Sequence, residues 1–184
     1  MPPPTRTPAS KWIEAGLRAL AQGPDAVRVE VLAKKLGVTK GSFYKQFESR
    51  RDLLDRMLDE WERVMIDNVI EQVEAEGPDP AERLRKLISL AGSSEAAAML
   101  GPELSIRDWA RRDEDINDRL RRVDNRRMEF MRDLFGASGM KERDVEARCL
   151  LAFSLFVGSG FIAADHGARN RADVLDLALR MIEA

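Results

Sequence analysis

Apolar residues recur at steps of three and four along almost the whole chain. That is the period of an amphipathic helix. Sustained alternation is missing, and so are the Asn-Gly and Asp-Gly dipeptides of tight hairpins, so the pattern predicts no strands. A first helix opens at Ser10, taken as its N-cap, and carries Trp12, Ile13, Leu17 and Leu20 before Gly23-Pro24 stops it. A short second helix runs from Val29 to Leu36, with Val31, Leu32 and Leu36 inward. Gly37 ends it, because glycine accepts the left-handed conformation of a helix C-cap. Thr39 is the expected N-cap of a very short third helix bearing Phe43, Tyr44 and Phe47. After Glu48-Ser49 a long helix carries Leu53, Leu54, Met57, Leu58, Trp61, Met65, Val69 and Val73 on one stripe up to Gly77-Pro78.

Helices are also expected at Ala81–Leu90, Met99–Ala110 with an interruption near Gly101-Pro102, Ile116–Phe135, Asp144–Ala164 and Ala172–Ala184. The run Cys149–Ala164 is the most apolar. It is shorter than the roughly 20 residues that a bilayer requires, so a helix buried on most sides is expected and no membrane partner. The opening MPPPTRTPA, residues 1–9, holds four prolines and no periodicity, which predicts a disordered arm.

Composition narrows the chemistry. The chain has 184 residues, enough for one or two domains with a real core. A single cysteine, Cys149, excludes an intramolecular disulfide and a cysteine zinc site, and a single histidine, His166, excludes a multi-histidine metal site. No metal and no cofactor are expected. A leader's basic-then-apolar order is not seen at the start, which makes the cytoplasm the default. The net charge of -2 hides an asymmetry, for residues 1–51 carry a net +6 and residues 52–184 a net -8. A basic segment on an acidic remainder suggests that one part meets a polyanion.

The segment RVEVLAKKLGVTKGSFYKQF, residues 28–47, has the size and turn of a helix-turn-helix, whose second helix enters the major groove. Thr39, Lys40, Ser42, Tyr44 and Lys45 form its polar and cationic side, while Phe43 and Phe47 anchor the opposite side. Gly41 lets backbone approach a phosphate, and the helix N-terminus adds amide donors. Arg28 and Arg50 flank these residues as further phosphate contacts. The bland alternative is a small helical hairpin with an ordinary charged face. The stretches Leu32-Ala33, Leu36-Gly37-Val38-Thr39-Lys40-Gly41-Ser42-Phe43-Tyr44 and Phe47-Glu48-Ser49-Arg50-Arg51-Asp52-Leu53 resemble the TetR family of transcriptional regulators over the first sixty or so residues. Arg28-Val29 departs from the two threonines often found there, and Lys45-Gln46 from the usual residues before the last Phe. The resemblance implies an all-α protein with an N-terminal three-helix DNA-binding unit, followed by a C-terminal helical bundle for ligand binding and dimerisation. The expected division is 1–9 as arm, 10–54 as DNA-binding domain and 55–184 as effector and dimerisation domain.

The later two-thirds is rich in Met and Trp, and bundles place small-molecule sites between helices. For any single Met or aromatic an ordinary core place is the simpler reading. As a group, Trp61, Met65, Met99, Leu104, Trp109, Met128, Phe153 and Phe156 are the expected lining for a small hydrophobic effector. A two-fold homodimer is expected through Phe156, Gly158, Gly160, Leu175 and Leu179 of the last two helices. The arginine-rich run Arg119, Arg121, Arg122, Arg126 and Arg127 is interspersed with acids and reads as a solvated, salt-bridged face. Poverty of His and Cys and the lack of a nucleophile constellation argue against an enzyme. The expected function is a ligand-responsive regulator, a repressor released from double-stranded operator DNA by its effector. A helical interaction protein, or a constitutive DNA binder without an effector, is the alternative.

Overall fold

The computed structural model describes residues 7–183, so the first six residues of the expected arm lie outside the described residues. Ten α-helices and no strand are found among the described residues: α1 (Ala9–Leu20), α2 (Val29–Leu36), α3 (Lys40–Phe43), α4 (Arg50–Glu62), α5 (Asn68–Glu74), α6 (Pro80–Ala91), α7 (Ser94–Ala110), α8 (Glu114–Ala137), α9 (Glu142–Ser159) and α10 (Arg171–Glu183). They form two compact units, one of residues up to 63 with 101–117 and one of residues 64–100 with those from 118 on, within the described residues.

In the first unit α1 packs on both α2 and α4, and α2 packs on α3. Trp12, Leu20, Leu32, Phe43, Leu53 and Met57 are fully buried there. The approach of α1 to α4 is close. A Cβ on Gly16 would stand 2.5 Å from the Met57 Sδ, so any side chain at that position must displace the thioether. Gly37 has φ +67°, and the amide of Val38 donates to the carbonyl of Ala33, which ends α2 as a left-handed cap. α4 is capped in both directions. Ser49 Oγ accepts from the Asp52 amide, and the Asp52 carboxylate accepts from the Glu48 amide.

In the second unit α5 packs on α6, and α10 on both α6 and α9. Its core gathers Leu84, Met131, Phe135, Val145 and Cys149 from α6, α8 and α9. Burial, followed by the nearby Glu146 carboxylate, pushes the Cys149 thiol up to about 11, so it stays protonated and inert at neutral pH.

Several elements differ from the sequence expectation. Helix α1 begins at Ala9 with Pro8 at its N-cap, because Pro8 already holds an extended backbone with φ -69° and ψ 156°; Ser10 lies within the first turn and caps nothing. The long helix after Ser49 passes through a π-turn at Arg63–Asp67 before it continues as α5. Helix α7 runs unbroken through Gly101-Pro102. A proline removes one backbone bond, and the burial of Pro102, Ile106 and Ala110 outweighs that loss. Helix α9 stops at Ser159, where Arg171 donates to the Ser159 carbonyl, instead of reaching Ala164. It is not buried on most sides, since Leu150 and Leu151 are 60% and 57% exposed.

Candidate nucleic-acid interface and ligand cavity

The helix-turn-helix segment hangs on three packed rings. The Trp12 and Phe43 centroids lie 5.3 Å apart edge-on, and Phe43 stacks on Phe47 at 5.1 Å. Phe43 and Phe47 are buried, which turns the other side of α3 outward. Thr39, Lys40, Gly41, Tyr44 and Lys45 are exposed there and Ser42 is half-buried. Tyr44 leans its ring edge-on against Phe43 at 5.1 Å, so its ring direction is set by the core. No backbone or side chain crowds Gly41, the nearest atom to a Cβ there being Thr39 Oγ1 at 3.8 Å.

Electrostatics join α2 to α3. Lys40 Nζ donates to Glu30 Oε1, which holds the Glu30 carboxyl below its ordinary value and raises Lys40. The pair is fully exposed, so it orients Lys40 more than it stabilises the fold. Thr39 sits at the N-cap of α3 in extended backbone but makes no side-chain cap bond. α3 is a single turn of four residues, so only a small helix dipole stands behind its N-terminal amides.

The two flanking arginines differ. Arg28 is exposed at the N-cap of α2. Arg50 is half-buried; its Nε donates to the Val27 carbonyl at 2.7 Å and its terminal nitrogen to that of Pro24 at 2.5 Å. These bonds fasten the turn before α2 to the start of α4. Gln46 Nε2 donates to the Thr7 carbonyl at 3.2 Å, tying the chain ahead of α1 to the end of the helix-turn-helix. The sequence reading missed this residue, and its only signal was its place beside Phe47.

The second unit holds a cavity of about 240 Å³ between α5, α6, α8 and α9. Of the expected lining, Met65, Phe153 and Phe156 meet on its wall. Met128 packs on the neighbouring core instead, and Met99 does not reach the cavity. Trp61, Leu104 and Trp109 belong to the other unit. Trp61 is fully buried and donates from Nε1 to Glu103 Oε2 at 2.8 Å, and Trp109 donates to Asp113. Leu104 borders a shallow surface hollow with Ala21 and Gln22. The sequence did not single out Phe130, Leu87 and Ile88, whose apolar character did not distinguish wall from core. Nor did it single out Arg127 for the wall. This residue was expected on a solvated face, but its side chain is only 10% exposed. Arg126 does meet that expectation, pairing with Asp67 at 2.7 Å.

The expected dimer residues also separate. Leu179 is buried and faces the cavity with Phe156, Gly158 and Leu175 are half-buried, and Gly160 is exposed at the end of α9. The large apolar side chains left exposed on α9 and α10 are Leu150, Leu151, Leu177 and Met181. His166 lies in the loop after α9. Among the described residues there is no group of three or more His, Cys, Asp or Glu placed to hold a metal, and no helix long and apolar enough to cross a membrane.

Residues 13–57 match the family model for bacterial regulatory proteins of the tetR family. The whole fold resembles solved structures. A protein from Saccharomonospora viridis assigned as a transcriptional regulator and crystallised with choline superposes with a TM-score of 0.79 at 17% identity, over 94% of this chain and 93% of that one. One from Rhodococcus sp. assigned to the TetR family gives 0.68 at 21% identity, over 96% and 98%. The fatty acid degradation regulator FadR from Bacillus halodurans gives 0.72 at 16% identity, over 95% and 93%. No curated protein matches the sequence. At these identities the structural likeness is one of fold.

Proposed function

We propose that this chain, a tetR-family protein by its residues 13–57, represses transcription by binding operator DNA and lets go when a small molecule fills its cavity. The observation that carries the DNA half is the outward row of Thr39, Lys40, Tyr44 and Lys45 on a turn of helix pinned from behind by Phe43 and Phe47. Ser42, Gly41 and Arg28 complete the proposed contact surface, with Arg50 holding the loop behind it. The working division is 10–54 for DNA and 55–184 for effector and partner subunit, in the cytoplasm. Duplexes selected from a random pool supply the operator. Lys40→Ala with Lys45→Ala is then expected to weaken binding to every duplex. It should also reduce the slope of log affinity against log salt by about one for each phosphate that is no longer neutralised. An unchanged affinity and slope would remove α3 from the groove.

The effector half rests on the apolar cavity. A cavity of this kind with a few polar groups is a common form of ligand site, and the Saccharomonospora viridis relative was crystallised with choline. The π-turn supplies Val64, Met65 and Ile66 to the wall. Such turns are rare and cluster at functional sites. A ligand that favours a different register there turns the helix before it relative to the helix after it. To release DNA the ligand must bind the non-operator conformation better, by about 1–3 kcal/mol for a 5- to 150-fold effect. A constitutive DNA binder would leave this apolar space without a use.

The partner is a second copy, seated on α9 and α10. Leu150, Leu151, Leu177 and Met181 are too exposed to serve the chain's own core. A self-complementary two-fold contact covers such a face on both copies and pairs the recognition helices about 34–36 Å apart, one turn of DNA. Sedimentation at micromolar concentration is expected to show a dimer. Leu150→Glu with Leu151→Glu should give a folded monomer, since neither side chain supports the interior. A wild-type monomer would refute the dimer.

A further inference from the structure

We infer that Glu30 is a specificity-determining residue, a fixed anion that competes with DNA phosphate for Lys40 and thereby weakens binding to duplexes other than the operator. This rests on the DNA-binding reading above.

Placement comes first. Glu30 lies in the first turn of α2 and Lys40 opens α3. Lys40 Nζ donates to Glu30 Oε1 at 2.5 Å. The exposed pairs nearby, Lys11 with Glu14, Arg18 with Glu14 and Arg51 with Asp55, each join neighbouring turns of one helix. This one spans the turn between two helices, so it sets where Lys40 points relative to α2. Its side chains are 64% and 53% exposed, so neither supports the core. The Glu30 carboxyl is held below its ordinary value first by the Lys40 bond, then by its own backbone amide, then by the Lys40 charge, and last by the charge of Arg28. The acid therefore stands in the field of two proposed DNA contacts, Arg28 and Lys40.

That position acts differently on phosphates and on bases. Binding to an arbitrary duplex is electrostatic, and each phosphate neutralised by a lysine or arginine releases a counterion. To reach a phosphate, Lys40 must leave Glu30. The freed carboxylate then gathers a cation in place of the one that the DNA releases. Lys40 thus adds little to the affinity for an arbitrary duplex or to its salt dependence.

A base edge demands no such exchange. An ammonium carries three donors, and Glu30 takes one. The others can meet acceptors in the major groove, such as the N7 and O6 of guanine, while the pair stays closed. Glu30 also restricts a long, flexible side chain before DNA arrives, which lowers the entropy lost on contact. Phosphate binding is discounted and base reading is kept, so the ratio between them rises.

Fluorescence anisotropy on the full chain tests the inference, with the selected operator and a scrambled duplex of equal length, from about 50 to about 200 mM salt. Glu30→Gln keeps the shape of the side chain and removes its charge. It is expected to bind the scrambled duplex about two- to fivefold tighter at the lowest salt, the size expected of an exposed ion pair. The salt slope on that duplex should steepen by about one. Operator affinity should rise by a smaller factor, so the ratio of the two affinities falls. In a Lys40→Ala background the same change should leave the slope where it was. An unchanged affinity and slope on the scrambled duplex overturns the inference. An equal gain on both duplexes does so too, as does an equal steepening with Lys40 absent, which would make Glu30 a plain repulsive charge. If selection yields no bound duplex at all, the DNA-binding reading falls and this inference with it. Both side chains are exposed, so neither variant removes a core contact.

Discussion

Phe43→Ala is expected to destabilise the DNA-binding unit strongly and Tyr44→Ala to leave it nearly intact, although the two residues are neighbours. Phe43 is fully buried between Trp12 and Phe47. Removing a buried phenyl ring costs about 3–5 kcal/mol, because transfer free energy and a residual cavity add. Its three ring contacts, with Trp12, Tyr44 and Phe47, contribute roughly 0.5–1.5 kcal/mol each beyond the area they cover, and they are part of that loss. For a chain of this length the melting temperature should fall by roughly 6–20 °C. DNA binding should weaken with it, since Phe43 is the buried anchor within α3 itself. Tyr44 is 56% exposed, and its one ring contact is with Phe43. Its loss should cost about 1 kcal/mol of stability, yet weaken operator binding about tenfold, as it removes a phenol from the contact surface. Thermal melts and fluorescence anisotropy with a labelled duplex read the two effects separately. A Tyr44→Ala protein that binds DNA as the wild type does would take Tyr44 off the interface. A Phe43→Ala protein with an unchanged melting temperature would contradict the packing.

Much of the first unit was legible because its signals are local. Gly37 needs a left-handed backbone, Phe43 and Phe47 recur at four residues, and Ser49 precedes a helix by one; each constrains its own neighbourhood. Arg50 was read as a phosphate contact because the sequence displays its charge and not the carbonyls of Val27 and Pro24 folded over it. The cavity was less legible. Apolar periodicity says that Trp61, Met65 and Trp109 turn inward, but not which interior they enter. Trp61 and Met65 are successive turns of one long helix, and they belong to different units. Position in a bundle depends on contacts between residues distant in sequence, which no local spacing encodes. Buried charges are hidden for the opposite reason. Arg127 lies in a run that reads as a wet, salt-bridged face, and its neighbour Arg126 does lie on one. A rotation of about 100° around α8 separates the two fates.

Glu103 is the extreme case and leads to the other large expected effect. It is a carboxylate with no exposure to solvent on α7. Trp61 on α4 donates to Oε2 at 2.8 Å, and Arg107, one turn along α7, donates to Oε1 from two nitrogens at 2.7 and 2.9 Å. The carboxylate thereby fastens the end of α4, the helix that follows the helix-turn-helix, to α7. Arg107→Met keeps the length and apolar stem of the side chain but strands the charge. Breaking a buried pair in this way costs about 3–5 kcal/mol, whereas removing both charges is often close to neutral. Glu103→Gln retains an acceptor for the Trp61 indole and removes the charge. The double variant Glu103→Gln with Arg107→Met should therefore be more stable than Arg107→Met alone, by about 2 kcal/mol or more. Glu103→Leu should fare worse than Glu103→Gln by about 1–3 kcal/mol, because the indole N–H would then be buried with no acceptor. Urea unfolding of the four variants and the wild type supplies the cycle. If Arg107→Met loses less than about 1 kcal/mol, or if the double variant is no better than the single, the carboxylate is not held by its charge partner. The link between α4 and α7 would then have to rest on Trp61 and apolar packing alone.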